Sequence, residues 1–261
     1  MLSAKHYRCR YFMITSVNNE KVKNVAKLLT NAKARRMQQA FVVEGERIVR
    51  EIPKDRILEC YVTKSYEGNP GITVQVVEDN IFRKMSDTKN PQGILCVVKM
   101  ETVEFEEYLS SHGYGRLHIL VLEGIQDPGN MGTMIRTAEG AGFDCILADR
   151  NTVDIYNPKV TRATMGSLFR MPVIYTEDLP ASIMALREAG VMTYAAHLQG
   201  TNDFDKEQYS DRTAILIGNE GNGLSDEISK MADKLVKIPM QGQLESLNAA
   251  VAAALMMYRA R

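Results

Sequence analysis

The sequence predicts an α/β protein of two domains, the second built on a parallel sheet. Three observations carry that reading. Helical and extended hydrophobic patterns alternate from about residue 19 onward, the extended runs of the second half are continuously apolar, and polar, glycine-rich segments follow several of them. Continuous apolar strands belong to parallel sheets covered on both faces, and ligands of such sheets bind beyond the carboxyl ends of the strands. A chain of 261 residues suffices for one large or two modest domains, and its 45% hydrophobic and 25% charged content is ordinary for a soluble protein.

Residues 1–16 show no pattern and are expected to form an extension. From Asn19 an apolar stripe of Val22, Val25, Ala26, Leu28 and Leu29 predicts a helix, with Lys21, Lys23 and Lys27 off the stripe. Lys33-Ala34-Arg35-Arg36 follows as a basic turn, residues 40–45 as a strand and 46–51 as a helix. Short strands are expected at 57–63, 74–77 and 94–98, the last after the turn Asn90-Pro91-Gln92-Gly93. Residues 17–100 thus read as a small α/β domain. The acidic, then glycine-rich segment 101–116 is expected to be a linker. In the second domain, 117–261, strands are expected at 118–122, 145–148, 171–175, 191–196 and 213–217. Helices are expected at 131–140, 160–167, 181–189 and 244–258, with Gly190 ending the third of them.

The formal net charge is zero but unevenly spread: residues 1–41 hold nine Lys or Arg against Glu20 alone, a net +8. Such a segment points to an anionic partner such as nucleic acid, although a solvated helix face reads the same way. Cys9, Cys60, Cys96 and Cys145 form no CxxC pair and the four histidines no HExxH spacing, so no metal site is expected. Scattered thiols fit a reducing cytosol. Neither a signal peptide nor an apolar run long enough to span a membrane is visible, so a cytoplasmic protein is expected.

Three loops carry the chemistry. The first, Gln126-Asp127-Pro128-Gly129-Asn130-Met131-Gly132-Thr133-Met134-Ile135-Arg136, combines a turn, Asn130 as a helix N-cap and Arg136 in the second helical turn. A helix start with an arginine favours a phosphate. The second, Gly218-Asn219-Glu220-Gly221-Asn222-Gly223-Leu224, opens the main chain to a ligand, but its GxxGxG order is not the dinucleotide fingerprint and it lacks the Gly-Lys-Ser/Thr of a P-loop. The third runs from Ile238-Pro239-Met240 to Leu244-Glu245-Ser246-Leu247-Asn248, with Ser246 and Asn248 polar at the start of an apolar helix. Each loop alone also reads as ordinary capping or turn structure.

Taken together and in order, NMGTMIRTA, IGNEGNGLS and IPMQGQLESLNAAVAAA resemble the three motifs of the SpoU family of RNA ribose 2′-O-methyltransferases, within the SPOUT superfamily, over roughly 117–261. The segment from Lys33 to Gly45 resembles the start of a small ribosomal-protein-like RNA-binding domain found ahead of many SpoU catalytic domains. The resemblance implies a C-terminal parallel-sheet SPOUT domain with a deep trefoil knot, S-adenosylmethionine as co-substrate, a homodimer and no metal. It implies a cofactor pocket of Ala196, His197, Gly218, Asn219, Glu220, Gly223, Leu224, Ile238, Met240 and Leu247. By the same likeness Arg136, Asn130, Glu220, Ser246 and Asn248 carry catalysis: Arg136 holds a phosphate, Ser246 and Asn248 orient the ribose or phosphate, and Asn130 and Glu220 hold the loops and Arg136. Lys33, Arg35 and Arg36 are expected to join Arg136 in binding RNA. The extra first domain favours large-subunit ribosomal RNA. A tRNA enzyme of the same family and a catalytically inactive RNA-binding protein stay open, whereas no motif supports a nucleotide-binding oxidoreductase or ATPase.

Overall fold

The computed structural model describes residues 13–261. The chain forms two compact units, the first ending at Met100 and the second starting at Glu101.

In the first unit the elements are α1 (Glu20–Thr30), α2 (Ala32–Gln38), β1 (Ala40–Glu44), α3 (Glu46–Val49), β2 (Ile57–Thr63), β3 (Gln75–Val77), α4 (Asp79–Phe82) and β4 (Ile94–Lys99). The sheet order is β1-β4-β2-β3, with β4 antiparallel to both neighbours and β3 parallel to β2. Asn19 caps α1 through its side chain, and Val22, Val25 and Leu28 bring one face of that helix against Val42, Tyr61, Leu95 and Val97 of the sheet. Each such fully buried aliphatic side chain stabilises the unit by about 1.5–3 kcal/mol.

Three expectations change here. The basic turn is a helix, because Asn31 serves two elements: its N–H closes α1 on the Lys27 carbonyl and its side chain accepts from Ala34 N to cap α2. Within α2, Arg35 is buried and its Nη1 donates to the Leu28 carbonyl at 2.7 Å. It therefore satisfies an open carbonyl at the end of α1 and is not placed to bind a phosphate; Lys33 and Arg36 are exposed. The expected extension 1–16 falls mostly on residues 1–12, outside the described residues, but Ile14 is buried and joins the sheet, donating to the Val76 carbonyl and accepting from Glu78 N.

The second unit comprises α5 (Phe105–Ser111), β5 (Leu117–Leu122), α6 (Pro128–Ala141), β6 (Cys145–Asp149), α7 (Pro158–Ala163), β7 (Val173–Thr176), α8 (Leu179–Glu188), β8 (Met192–Ala196), β9 (Asn202–Asp203), β10 (Arg212–Ile217), α9 (Asp226–Met231), β11 (Lys234–Lys237) and α10 (Ala249–Ala260). Its seven strands pair in parallel in the order β7-β6-β5-β10-β8-β11-β9. The chain thus walks from β5 out to β7, restarts at β8 on the other side, and returns β10 to the gap between β5 and β8. Every residue of β5 and β6 is buried, the polar His118 and Asp149 included, as strands covered on both faces require. One face of the sheet packs on α5, α8 and α9. On the α6 side, α10 packs on α6 and β10, and α7 approaches α6 so closely that a Cβ at Gly132 would stand 2.3 Å from that of Ala163.

Residues 101–116 are not a free linker: Phe105 is buried in the core of this unit, with Val103, Tyr108 and Leu109 packed beside it. The last helix begins at Ala249 and not at 244, because Asn248 caps it by accepting from Ala250 N and Val251 N. Gly190 adopts a left-handed φ of 74° just beyond α8, as a helix-ending glycine does.

Candidate functional site

A cavity of about 400 Å³ lies at the carboxyl ends of β8, β10 and β11. That volume is within the usual range for a small-molecule site, and it lies beyond the carboxyl ends of parallel strands, where ligands of such sheets bind. Ala196 ends β8 and His197 follows it; Gly218, Asn219, Glu220, Gly223 and Leu224 follow β10; Ile238 and Met240 follow β11; Leu247 precedes α10. All ten line the cavity, as does Ser246. Leu198, Gln199 and Glu245 line it as well and were not anticipated.

The loop after β10 is a closed turn. Asn219 and Gly223 exchange two backbone hydrogen bonds, of 3.0 and 2.9 Å. Asn219 Oδ1 accepts from Gly221 N and Asn222 N, and its Nδ2 donates to the Gly124 carbonyl at 2.7 Å. Asn219 is thus a loop staple whose side chain is spent on the main chain. At Gly218 the turn folds back so tightly that a Cβ would lie 2.1 Å from the Gly223 carbonyl carbon and the Leu224 nitrogen.

A chain of side-chain bonds joins the three loops. Glu220 accepts from Gln126 N and Asp127 N at 3.2 Å each and from Asn130 Nδ2 at 3.0 Å. Asn130 Oδ1 accepts from Asn248 Nδ2 at 2.9 Å, and Asn248 Oδ1 caps α10. Burial pushes the Glu220 carboxyl up, but the bonds from Asn130, its own backbone, Gln126 and Asp127 together outweigh it and hold the group below its ordinary value. It is therefore an anion whose negative charge is spent on organising the loops.

Asn130 reaches this position because it is not the cap of α6. Asp127 is, accepting from Asn130 N at 2.7 Å, with Pro128 in the first helical turn. The first loop is braced from the other side by the buried Asp149, whose Oδ1 accepts from Gly124 N, Thr152 N and Thr152 Oγ1. Sequence reasoning missed Asp149 and Thr152, although an acid and a threonine three apart after a strand is a visible turn signal.

Arg136 stands apart. It is exposed on α6, does not line the cavity, and among the described residues it makes no hydrogen bond or ion pair. Asn130 and Glu220 were expected to hold it; they bond to each other and to the loop backbone, six residues earlier along the helix. His197 Nδ1 accepts from Gln199 N at 3.1 Å, which places the proton of its neutral ring on Nε2. Among the described residues no three His, Cys, Asp or Glu side chains converge as a metal-binding set.

Fold and cavity together define a parallel α/β protein that takes an organic ligand beyond its strand ends. The chain belongs to the SpoU rRNA methylase family, whose pattern matches residues 117–258. Residues 19–96 match the MRM3-like substrate binding domain. The chain is 34% identical over 254 residues to the 23S rRNA (guanosine(2553)-2'-O)-methyltransferase RlmP of Bacillus subtilis, covering 95% of this chain and 98% of the relative. It is 31% identical over 261 residues to an uncharacterized tRNA/rRNA methyltransferase of Synechocystis, covering 95% and 93%. The AdoMet-bound rRNA methyltransferase of Sinorhizobium meliloti superposes with a TM-score of 0.83 at 29% identity, covering 95% of this chain and 97% of that one.

Proposed function

We propose that the protein transfers the methyl group of S-adenosylmethionine to a ribose 2′-hydroxyl of large-subunit ribosomal RNA. The observation that carries this reading is the cavity that two of the three motif loops line, with the first tied to them through Asn130, in a chain of the SpoU family. The RlmP relative acts on 23S rRNA and the Sinorhizobium relative binds the same co-substrate, which supports both halves of the reaction. The match of residues 19–96 to a substrate binding domain supports a first unit that engages the substrate.

The cavity fits the co-substrate. Ile217, Leu224, Val236 and Ile238 give apolar walls for an adenosyl group. Gly218 lets the turn fold back on itself, so the loop wall carries no side chain at that point. Bound there, S-adenosylmethionine supplies a methyl made electrophilic by the sulfonium charge.

The protein's own part is mainly positioning, which can remove several kcal/mol from a barrier between two bound reactants. Arg136, exposed and unpaired among the described residues, grips a phosphate beside the target ribose with its planar fork and stabilises negative charge developing on the oxygen. A guanidinium is too weak an acid to serve as the base, so the hydroxyl proton passes to phosphate or water. Ser246, exposed at the cavity edge, orients the ribose. Both ends of the Asn248 side chain are engaged within the protein, which makes it a positioning residue with Asn130 and Glu220. On the first unit, Lys33 and Arg36 contact phosphates.

The reading includes three further features. The C-terminal segment is threaded as a deep trefoil knot, supported by the return of β10 between β5 and β8 and by α10 packing back on α6. The protein is a homodimer, supported by Val251, Leu255 and Tyr258, which expose an apolar stripe along α10. It works in the cytoplasm beside its RNA, supported by the free thiols of Cys60, Cys96 and Cys145.

The test is transfer of labelled methyl to total RNA followed by size separation. Label in large-subunit ribosomal RNA is expected, with Arg136→Ala slowed by about 100-fold at unchanged folding and Arg136→Lys only partly restored. Label in tRNA alone would overturn the substrate; no label in any fraction would overturn the activity.

A further inference from the structure

A second cavity, of about 780 Å³, lies wholly within the first unit, between the end of β2, α4 and the loop that leads into β4. The methyl transfer above makes no use of it. Its walls are held in place. The buried Glu44 accepts from Ser86 Oγ at 2.7 Å and from Thr88 Oγ1 at 2.8 Å, which ties down the start of the loop. Gln92 Oε1 accepts from Glu46 N at 2.9 Å and ties down its end. Gly93, at φ 78°, packs so close to Thr63 that a Cβ would lie 2.6 Å from its Oγ1. A carboxylate is costly to bury without partners, so these bonds make the loop a preformed wall and not a loose tip.

We infer that this cavity receives one unstacked nucleotide of the RNA substrate, base inward. Tyr66, half-buried, presents a ring surface to a base, above a floor held by the fully buried Phe82. Asn90 is exposed beside them with its amide free among the described residues, as a base-edge partner. Glu67 and Asp79 also line the space. Their negative charge disfavours a free, multiply charged nucleotide inside and favours a neutral base whose exocyclic amino group they can accept from, over uracil. The phosphates then lie outside, where Arg83 and Lys89 are exposed at the edge and, among the described residues, have no acidic partner. Single-stranded RNA is read in this way, by splayed bases stacked on aromatic rings, and one such pocket accommodates a nucleotide but no duplex.

The inference rests on the proposal that the substrate is RNA, and the test separates the two. Full-length protein is titrated with a large-subunit ribosomal RNA transcript, and the ultraviolet cross-linked peptides are mapped. Cross-links on Tyr66 are expected. Tyr66→Ala should weaken binding by about ten-fold, Tyr66→Phe should restore it, and the affinity for S-adenosylmethionine should not change. Arg83→Ala, an exposed change that does not threaten folding, should weaken binding by roughly three- to ten-fold and reduce its salt dependence. Wild-type methyl transfer with cross-links elsewhere, and Tyr66→Ala and Arg83→Ala both binding within two-fold of wild type, would overturn the pocket and leave the methyltransferase standing. A wild-type protein that binds no ribosomal RNA would overturn both.

Discussion

Replacing Gly218 by alanine places a methyl group where the turn after β10 folds back on itself. The new Cβ would lie 2.1 Å from Gly223 C and Leu224 N and 2.3 Å from Gly223 O, all of them backbone atoms. Carbon contacts settle near about 3.5–4.0 Å, so the loop must open by more than about 1 Å. That movement strains the two Asn219–Gly223 backbone bonds and shifts Leu224 at the cavity wall. Overpacking of this kind costs roughly 1–3 kcal/mol. In a unit of this size that lowers Tm by about 2–10 °C, and a loss of about 1.4 kcal/mol in the bound state weakens a ligand ten-fold. Gly221→Ala is the control: its Cβ would meet only Asn219 Oδ1, at 3.4 Å. Thermal unfolding and calorimetric titration with S-adenosylmethionine read both variants. Gly218→Ala is expected to bind at least about ten-fold more weakly, and Gly221→Ala nearly as wild type. Wild-type affinity in Gly218→Ala would refute the placement of the co-substrate against this loop.

Three other expectations follow from particular contacts. Asn248→Ala removes both the cap of α10 and the bond to Asn130 and should cost about 1–2 kcal/mol, whereas Asn248→Asp keeps the cap and loses only the donor to Asn130; equal losses on thermal unfolding would refute that division. Arg35→Ala should destabilise the protein by about 1–3 kcal/mol by leaving the Leu28 carbonyl unpaired. Arg36→Ala should instead leave stability within about 0.5 kcal/mol and reduce the salt slope of RNA binding by about 1; denaturant melts and salt titrations distinguish the two. Glu207 is buried, and the Lys234 ammonium, then Asn202, hold its carboxyl below its ordinary value against the opposing effect of burial. A depressed folded value stabilises the protein above the ordinary carboxylate range, and that stabilisation is lost as pH falls through the folded value. Glu207→Gln should therefore be less stable at neutral pH and lose less stability on acidification, and parallel acid-denaturation curves would contradict this.

The longer strands of the second unit were legible because burial on both faces writes itself as a continuous apolar stretch, as in Ile119 to Leu122 of β5 and Ala214 to Ile217 of β10. The residues of the cavity were legible only as a set of motifs; no single glycine or asparagine among them distinguishes a ligand loop from a turn. What the sequence hid were choices between near-equal local partners. Asp127 and Asn130 are both good caps, and the proline at 128 was the clue that selects the first. Ser246 and Leu247 fit a helical pattern, but the cap by Asn248 starts the helix later and leaves them at the cavity. Arg35 reads as one of a basic cluster until the fold buries it under the end of α1. β9 and β11 are too short and too polar to announce themselves, at two and four residues.

Alkaline hydrolysis of the methylated RNA distinguishes methyl transfer to a ribose oxygen from methyl transfer to a base. Alkali cleaves RNA through the neighbouring 2′-hydroxyl, so a methylated ribose protects the phosphodiester that follows it. Methyl label from S-adenosylmethionine is expected in alkali-resistant dinucleotides of the large ribosomal RNA. Label recovered in mononucleotides would mean base methylation and would contradict transfer to the ribose.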